Sequence, residues 1–287
     1  MIPAAFDYAA PRTLEDAVNL VARYEDEGKI LAGGHSLIPL MKLRLAAPRV
    51  LIDLARIPDL SYIRDRGDYV SIGAMSTYVS LQSSPWLQER VPLLSDASAM
   101  VGDMQVRNRG TIGGSCAHAD PASDMPAVLV ALDARIVALG RTGERVIAAR
   151  DFFRDIWTSA LTSDEIVTEV QVPYPRDPGS RAYIKFRQRA ADWAIVGVAV
   201  SVDRLDSTIQ RSSVVLTNVG PTPMRATTVE NALQGQLATG ELVDSAAAQA
   251  SAELQPSDEL RGSGEYKSHL ARVLTRRALL QALQIAH

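Results

Sequence analysis

The sequence predicts an α+β fold, and three observations carry that prediction. The chain opens on a strand–helix–strand pattern of roughly 50 residues, a small α/β unit. A cluster of breakers, Pro173, Pro175, Pro178 and Gly179, then reads as a linker over 173–180. Beyond it, three strand patterns run in succession before any helix, the order of an α+β domain rather than of a parallel α/β sheet.

Thr13 to Glu27 reads as an amphipathic helix. Leu14, Ala17, Val18 and Val21 recur at helical spacing, Thr13 is placed to cap it, and Asp16 sits where a capping-box acid would. Lys29-Ile30-Leu31-Ala32 is a short buried-strand pattern that runs into Gly33-Gly34. A second helix is expected from near Ser36, with Leu37, Leu40, Met41 and Leu45 on one side and Pro39 tolerated in its first turn. Val50 to Leu54 closes the unit as a strand. Tyr69 to Ala74 is a further strand and Val91 to Met100 a helix. The stretch from Gly110 to Asp124 is rich in Gly, Ser, Ala and Asp and reads as loop. Ala134 to Leu139 and Glu144 to Ala148 flank Gly140-Arg141-Thr142-Gly143, a hairpin signal. Ile166 to Val172 is a strand with partial alternation. After the breakers, Tyr183 to Arg189, Ala194 to Asp203 and Ser213 to Val219 read as strands. Thr227 to Leu233, Leu242 to Ala252 and Lys267 to Ala286 read as helices.

Composition narrows the function. Lys plus Arg number 30 against 33 Asp plus Glu, a net charge of −3, so no basic excess drives binding to a phosphate backbone. A dedicated nucleic-acid binder is therefore not expected. Cys116 is the single cysteine, too few for an internal disulfide, a cysteine-built zinc site or the ligands of an iron–sulfur cluster. His35, His118, His269 and His287 are scattered. The longest apolar runs, such as Ala194 to Val200, fall far short of the ~20 residues of a membrane span. Met1 to Asp7 lacks the pattern of a secretory signal, so a cytoplasmic location is expected.

Two glycine pairs stand out. Ala32-Gly33-Gly34-His35-Ser36 lies between a strand and a helix start, where a backbone free of Cβ atoms can aim its N–H groups at one spot. Thr111-Ile112-Gly113-Gly114-Ser115 repeats the theme. Converging, the two would grip a diphosphate from both sides; separately, each is an ordinary turn. Neither is a dinucleotide fingerprint nor a P-loop. Asp120 and Asp124 follow the second pair, as turn caps or, for Asp124, as an acceptor for a ligand hydroxyl. Arg107 and Arg109 read as phosphate ligands or as solvated residues at a helix end. Trp193 opens an apolar strand behind charged residues, either as a core tryptophan or as a stacking surface for a planar cofactor.

In this order and spacing, Ala32-Gly33-Gly34-His35-Ser36-Leu37-Ile38-Pro39 and Thr111-Ile112-Gly113-Gly114-Ser115 resemble the two flavin motifs of the FAD-binding medium subunits of the molybdenum hydroxylases. That family holds xanthine dehydrogenase and aerobic carbon monoxide dehydrogenase, and the likeness is greatest to the carbon monoxide dehydrogenase branch. Ser257-Asp258-Glu259-Leu260-Arg261-Gly262, followed by Tyr266, resembles the family's tail. The resemblance implies a two-part FAD-binding region of the vanillyl-alcohol-oxidase/PCMH-like type, residues 1–54 and 55–177. Residues 178–287 would form a C-terminal α+β domain with a three-stranded antiparallel sheet and helices. It implies noncovalent FAD with its pyrophosphate on Ala32, Gly33, Gly34, His35 and Ser36 and on Thr111, Ile112, Gly113, Gly114 and Ser115. Lys29, Asp124 and Leu161 join the cofactor-binding set, and Lys185 and Trp193 fall beside the isoalloxazine. Trp193 stands where tyrosine is frequent, Ser115 where many relatives have asparagine, and Ala191 where glycine is common. The implied partners are a large subunit with the molybdenum cofactor and a small subunit with [2Fe–2S] clusters, in a dimer of heterotrimers. The rival readings are a self-contained flavin oxidase or reductase and an assembly subunit without flavin.

Overall fold

The computed structural model describes residues 2–285; Met1, Ala286 and His287, and with them the expected end of the last helix, lie outside the described residues. The chain begins with β1 (Asp7–Ala9), α1 (Leu14–Tyr24), β2 (Gly28–Leu31), α2 (Leu37–Lys42) and β3 (Val50–Asp53). The strands form a parallel sheet of order β1-β3-β2, with Tyr8 opposite Leu51 and Ile30 opposite Ile52. Thr13 caps α1: its Oγ1 accepts from the Asp16 N–H at 3.1 Å and its hydroxyl donates to Asp16 Oδ2 at 2.7 Å. Ala17, Val18 and Val21 pack on Val50 and Ile52 in the first core, as their spacing predicts. The helix stops at Tyr24, short of Glu27, because Glu25 takes a φ of +42° and starts a 3-10 turn. The apolar side expected of α2 is not a core face. Only Met41 is buried, while Leu43 and Leu45 stand exposed, since a six-residue helix is too short to carry a stripe.

The middle of the chain supplies β4 (Ile63–Asp65), β5 (Tyr69–Gly73) and six short helices: α3 (Tyr78–Gln82), α4 (Pro85–Arg90), α5 (Pro92–Met100), α6 (Met104–Arg109), α7 (Ile112–His118) and α8 (Asp124–Ala131). The hairpin β6 (Arg135–Gly140) and β7 (Gly143–Ala148) follows, turning at Arg141-Thr142 with Gly143 at a φ of +115°. After α9 (Ala149–Phe152) come a small ribbon, β8 (Phe153–Asp155) and β9 (Thr158–Ser159), and then β10 (Ile166–Pro173). The antiparallel sheet has the order β4-β5-β10-β6-β7, so β10 lies at its centre between Ile72 and Ile136 at Val170.

The expected loop from Gly110 to Asp124 is corrected here: it contains α7 and the start of α8. Glycine content concealed a helix that tertiary contact stabilises. Thr111 Oγ1 caps α7 by accepting from the Gly114 N–H at 3.1 Å. A Cβ on Gly113 would stand 2.5 Å from Ala74 Cβ, so glycine is required for the helix to lie against the end of β5.

The C-terminal part is a four-stranded antiparallel sheet of order β11 (Arg181–Phe186), β12 (Val196–Leu205), β13 (Thr208–Thr217), β14 (Met224–Arg225). Its three long strands match the sequence pattern, with a two-residue strand added at the edge. Alternation divides its faces. Tyr183, Ala199 and Val215 point into the middle core, while Ala182, Val198, Val200, Val214 and Leu216 point to the other side. That second side is covered by α10 (Thr227–Leu233), α11 (Gly240–Ala247) and α12 (Gly264–Leu283).

Cys116 lies on α7 in the middle core, fully buried, and burial pushes its thiol up to about 12. Thiol reagents at pH 8 are expected to leave the native chain untouched and to label one group per chain after denaturation. Rapid labelling of the native protein would contradict this packing.

Candidate functional site

A cleft of about 780 Å³ runs between the three parts of the chain. Lys29, Ala32, Gly33, Gly34, His35, Ser36, Thr111, Gly113, Gly114, Ser115, Asp124, Leu161, Lys185 and Trp193 all line it. Ile112 does not: it is fully buried in the middle core, and its place in the motif is structural. Trp157, Thr162 and Glu165 also line the cleft and carry no signal in the sequence.

The two glycine loops meet and divide their work. A Cβ on Gly33 would collide with the Arg109 carbonyl and stand 2.9 Å from Gly110 Cα, so the loops touch backbone to backbone. The first amides of α7 are spent within the protein. Ile112 N donates to Ser76 O at 3.1 Å, Gly113 N to Ala74 O at 2.9 Å, and Gly114 N to Thr111 Oγ1 at 3.1 Å. By contrast, the backbone N–H groups of Gly33, Gly34, His35 and Ser36 donate to no protein group among the described residues. Gly34 has a φ of +78°, which bends this stretch into a concavity of amides. The first loop therefore keeps its N–H donors free, and the second is the surface against which it is held. Ser115 Oγ shares a hydrogen bond of 2.7 Å with Ser123 Oγ.

Asp124 and Lys185 come together across 61 residues of sequence. Lys185 Nζ donates to Asp124 Oδ2 at 2.7 Å and to Met100 O at 3.1 Å, and Tyr183 Oη donates to Asp124 Oδ1 at 2.5 Å. Burial pushes the Asp124 carboxyl up, and Lys185 and Tyr183 pull it back by stabilising the anion. Burial and the neighbouring carboxylate push the Tyr183 phenol well up. Both Asp124 oxygens thus already accept from protein donors.

On the opposite wall, Arg145 grips Glu165 through Nε at 2.5 Å and Nη2 at 2.7 Å, and also donates to Ala160 O at 2.6 Å. Thr162 N donates to Glu165 Oε2 at 2.7 Å. These bonds fix the 160–165 loop that carries Leu161. Arg145 holds the Glu165 carboxyl below the usual range. Trp193 sits in the loop before β12 and is 56% exposed, which excludes a core role. The Arg261 guanidinium lies 4.2 Å from its ring centre and pairs with Asp192 at 3.1 Å. Among the described residues no group of three or more His, Cys, Asp or Glu side chains is placed to hold a metal ion.

Residues 4–175 match the FAD binding domain in molybdopterin dehydrogenase, and residues 181–282 the CO dehydrogenase flavoprotein C-terminal domain. This chain belongs to the flavoprotein medium-chain family of molybdopterin dehydrogenases. The flavoprotein is 42% identical over 279 residues to the carbon monoxide dehydrogenase medium chain of Hydrogenophaga pseudoflava, covering 97% of each chain. It is 37% identical to the glyceraldehyde dehydrogenase medium chain of Sulfolobus acidocaldarius, over 97% of this chain and 98% of that one. Its structure superposes with a TM-score of 0.96 on a chain of H. pseudoflava carbon monoxide dehydrogenase lacking the Mo-pyranopterin moiety of the molybdenum cofactor. There the identity is 43% and the coverage 99% of both chains.

Two measurements check this site. Lys185→Met is expected to cost the flavoprotein about 3–5 kcal/mol by leaving a buried carboxylate without its counter-ion. Asp124→Leu combined with Lys185→Met should recover much of that loss in urea unfolding; additive losses would show the pair to be uncoupled. Glu165 has its folded pKa depressed, so its stabilisation is present above the ordinary carboxyl pKa of about 4.3 and is lost as pH falls through the lower folded value. Amide exchange in the 160–165 loop should therefore rise on acidification through that range, and Arg145→Gln should raise it already at neutral pH.

Proposed function

We propose that this flavoprotein relays electrons within a molybdenum-containing dehydrogenase. It would take them from [2Fe–2S] clusters on a small partner subunit, supplied by a molybdenum cofactor on a large one, and pass them to an external acceptor. The complex is a dimer of heterotrimers of the carbon monoxide dehydrogenase type. Residues 1–54 and 55–177 hold noncovalent FAD between them, and 178–287 cap the cleft.

The observation that carries this reading is the row of unpartnered amides at Gly33 to Ser36 in a cleft large enough for a dinucleotide. Four N–H groups in a concave turn suit a pyrophosphate, and no group among the described residues competes for them. Bound FAD supplies a centre that takes electrons singly and gives them up in pairs. Lys29, Leu161 and Trp193 would bound the space around it. Asp124 and Lys185 neutralise each other in the wall and set its polarity without offering a free acid or base. Glu165 is likewise committed to Arg145. Substrate oxidation belongs to another chain, in keeping with relatives of similar identity that are named for carbon monoxide and for glyceraldehyde.

The purified chain is expected to be yellow and to release its flavin to the supernatant on acid precipitation. Flavin retained on the pellet would refute noncovalent binding. Gly34→Ala adds a Cβ at a left-handed φ, a strain of about 1–2 kcal/mol. It should weaken FAD on the order of tenfold while Cys116 stays protected. Undiminished flavin content would move the diphosphate elsewhere.

A further inference from the structure

Trp157 is the cleft residue that nothing above explains. It forms the tip of the β8–β9 ribbon with Ile156, is 65% exposed, and lines the cleft, which Ile156 does not. Its φ is +52°, a left-handed conformation that a bulky side chain adopts only under constraint. The constraint is visible. Trp157 N donates to Ala119 O at 3.1 Å, and Ala119 is itself left-handed at the C-terminus of α7. Ile156 N is tied to Asp155 Oδ1 at 2.8 Å, and Thr158 Oγ1 to Ile156 O at 3.1 Å. The backbone that carries the ring is thus tied on both sides.

The other two tryptophans have partners. Trp86 donates to Tyr174 and lies under Arg90, and Trp193 lies under Arg261. Among the described residues no aromatic ring or cation stacks on Trp157. The 119–121 turn links the two cleft tryptophans. Ala119 holds Trp157, while Pro121 O accepts from Asn218 N at 2.9 Å, and Asn218 Nδ2 donates to Ala194 O beside Trp193 at 3.0 Å.

We propose that Trp157 stacks on a planar heterocycle of the dinucleotide that the cleft takes. The proposal rests on the FAD reading above and adds to it a wall that the glycine motifs do not mark. FAD offers two such rings, the isoalloxazine and the adenine, and both present a π face to an indole.

The test titrates FAD, and separately ADP, into the wild-type chain, Trp157→Phe and Trp157→Ala, each alone and assembled with its partner subunits. Trp157→Ala should weaken FAD roughly threefold to tenfold, Trp157→Phe should keep most of the affinity, and Cys116 should stay protected in both. A parallel loss of ADP affinity assigns the contact to the adenine. Unchanged ADP affinity with brighter bound-flavin fluorescence assigns it to the isoalloxazine. Wild-type binding of FAD with no change in affinity or fluorescence in Trp157→Ala overturns the stacking role alone. Normal FAD binding with lost assembly overturns it in favour of a subunit contact. Failure of the wild type to bind FAD in either form removes the cofactor reading itself.

Discussion

Asp124 begins α8 in the middle core, and both of its carboxylate oxygens are spent on β11, one on Lys185 and one on Tyr183. Two charges withdrawn from water cost several kcal/mol each unless they meet with good geometry. That requirement holds the C-terminal sheet in one position against the middle core. Lys185 also donates to Met100 O at the end of α5, so a single ammonium joins three elements. Ser123, next to Asp124, shares a hydrogen bond with Ser115 on α7. The Asp124–Lys185 pair and the Ser115–Ser123 bond thus tie α8, α5 and α7 to the sheet behind them.

The near wall depends on a different constraint, the approach of backbones that only glycine permits. Gly33 lies on the Arg109–Gly110 backbone, and Gly113 lies on Ala74. These contacts remove α7's own amides from service, because they donate to Ser76 and Ala74 carbonyls and to the Thr111 hydroxyl. What remains is a concavity of free N–H groups in the first loop. Two similar glycine pairs consequently do different things: one offers donors and the other provides the surface against which those donors are fixed.

The charged groups deep in the cleft are satisfied by one another, Asp124 by Lys185 and Glu165 by Arg145. The cleft also has exposed aromatic surface, in Trp157 and Trp193.

Where the physics is local, the sequence alone determined the outcome. Thr13 and the spacing of Ala17, Val18 and Val21 specify α1, and Gly143 marks the hairpin turn with its positive φ. The apolar runs of Ala194 to Asp203 and Ser213 to Val219 announce strands, and Gly33-Gly34 after an apolar strand announces a turn. Where stability comes from distant partners, only the tertiary structure decided. Residues 112–118 read as loop because glycine disfavours an isolated helix, yet contact with β5 and the Thr111 cap make them one. Ile112 shares a motif with cleft residues but faces the core. Trp157 is set into the cleft by a left-handed bend and a bond to Ala119, and no periodicity encodes either. Asp124 and Lys185 find each other only when the fold brings α8 beside β11, since the strength of a buried ion pair depends on distance in space and not along the chain.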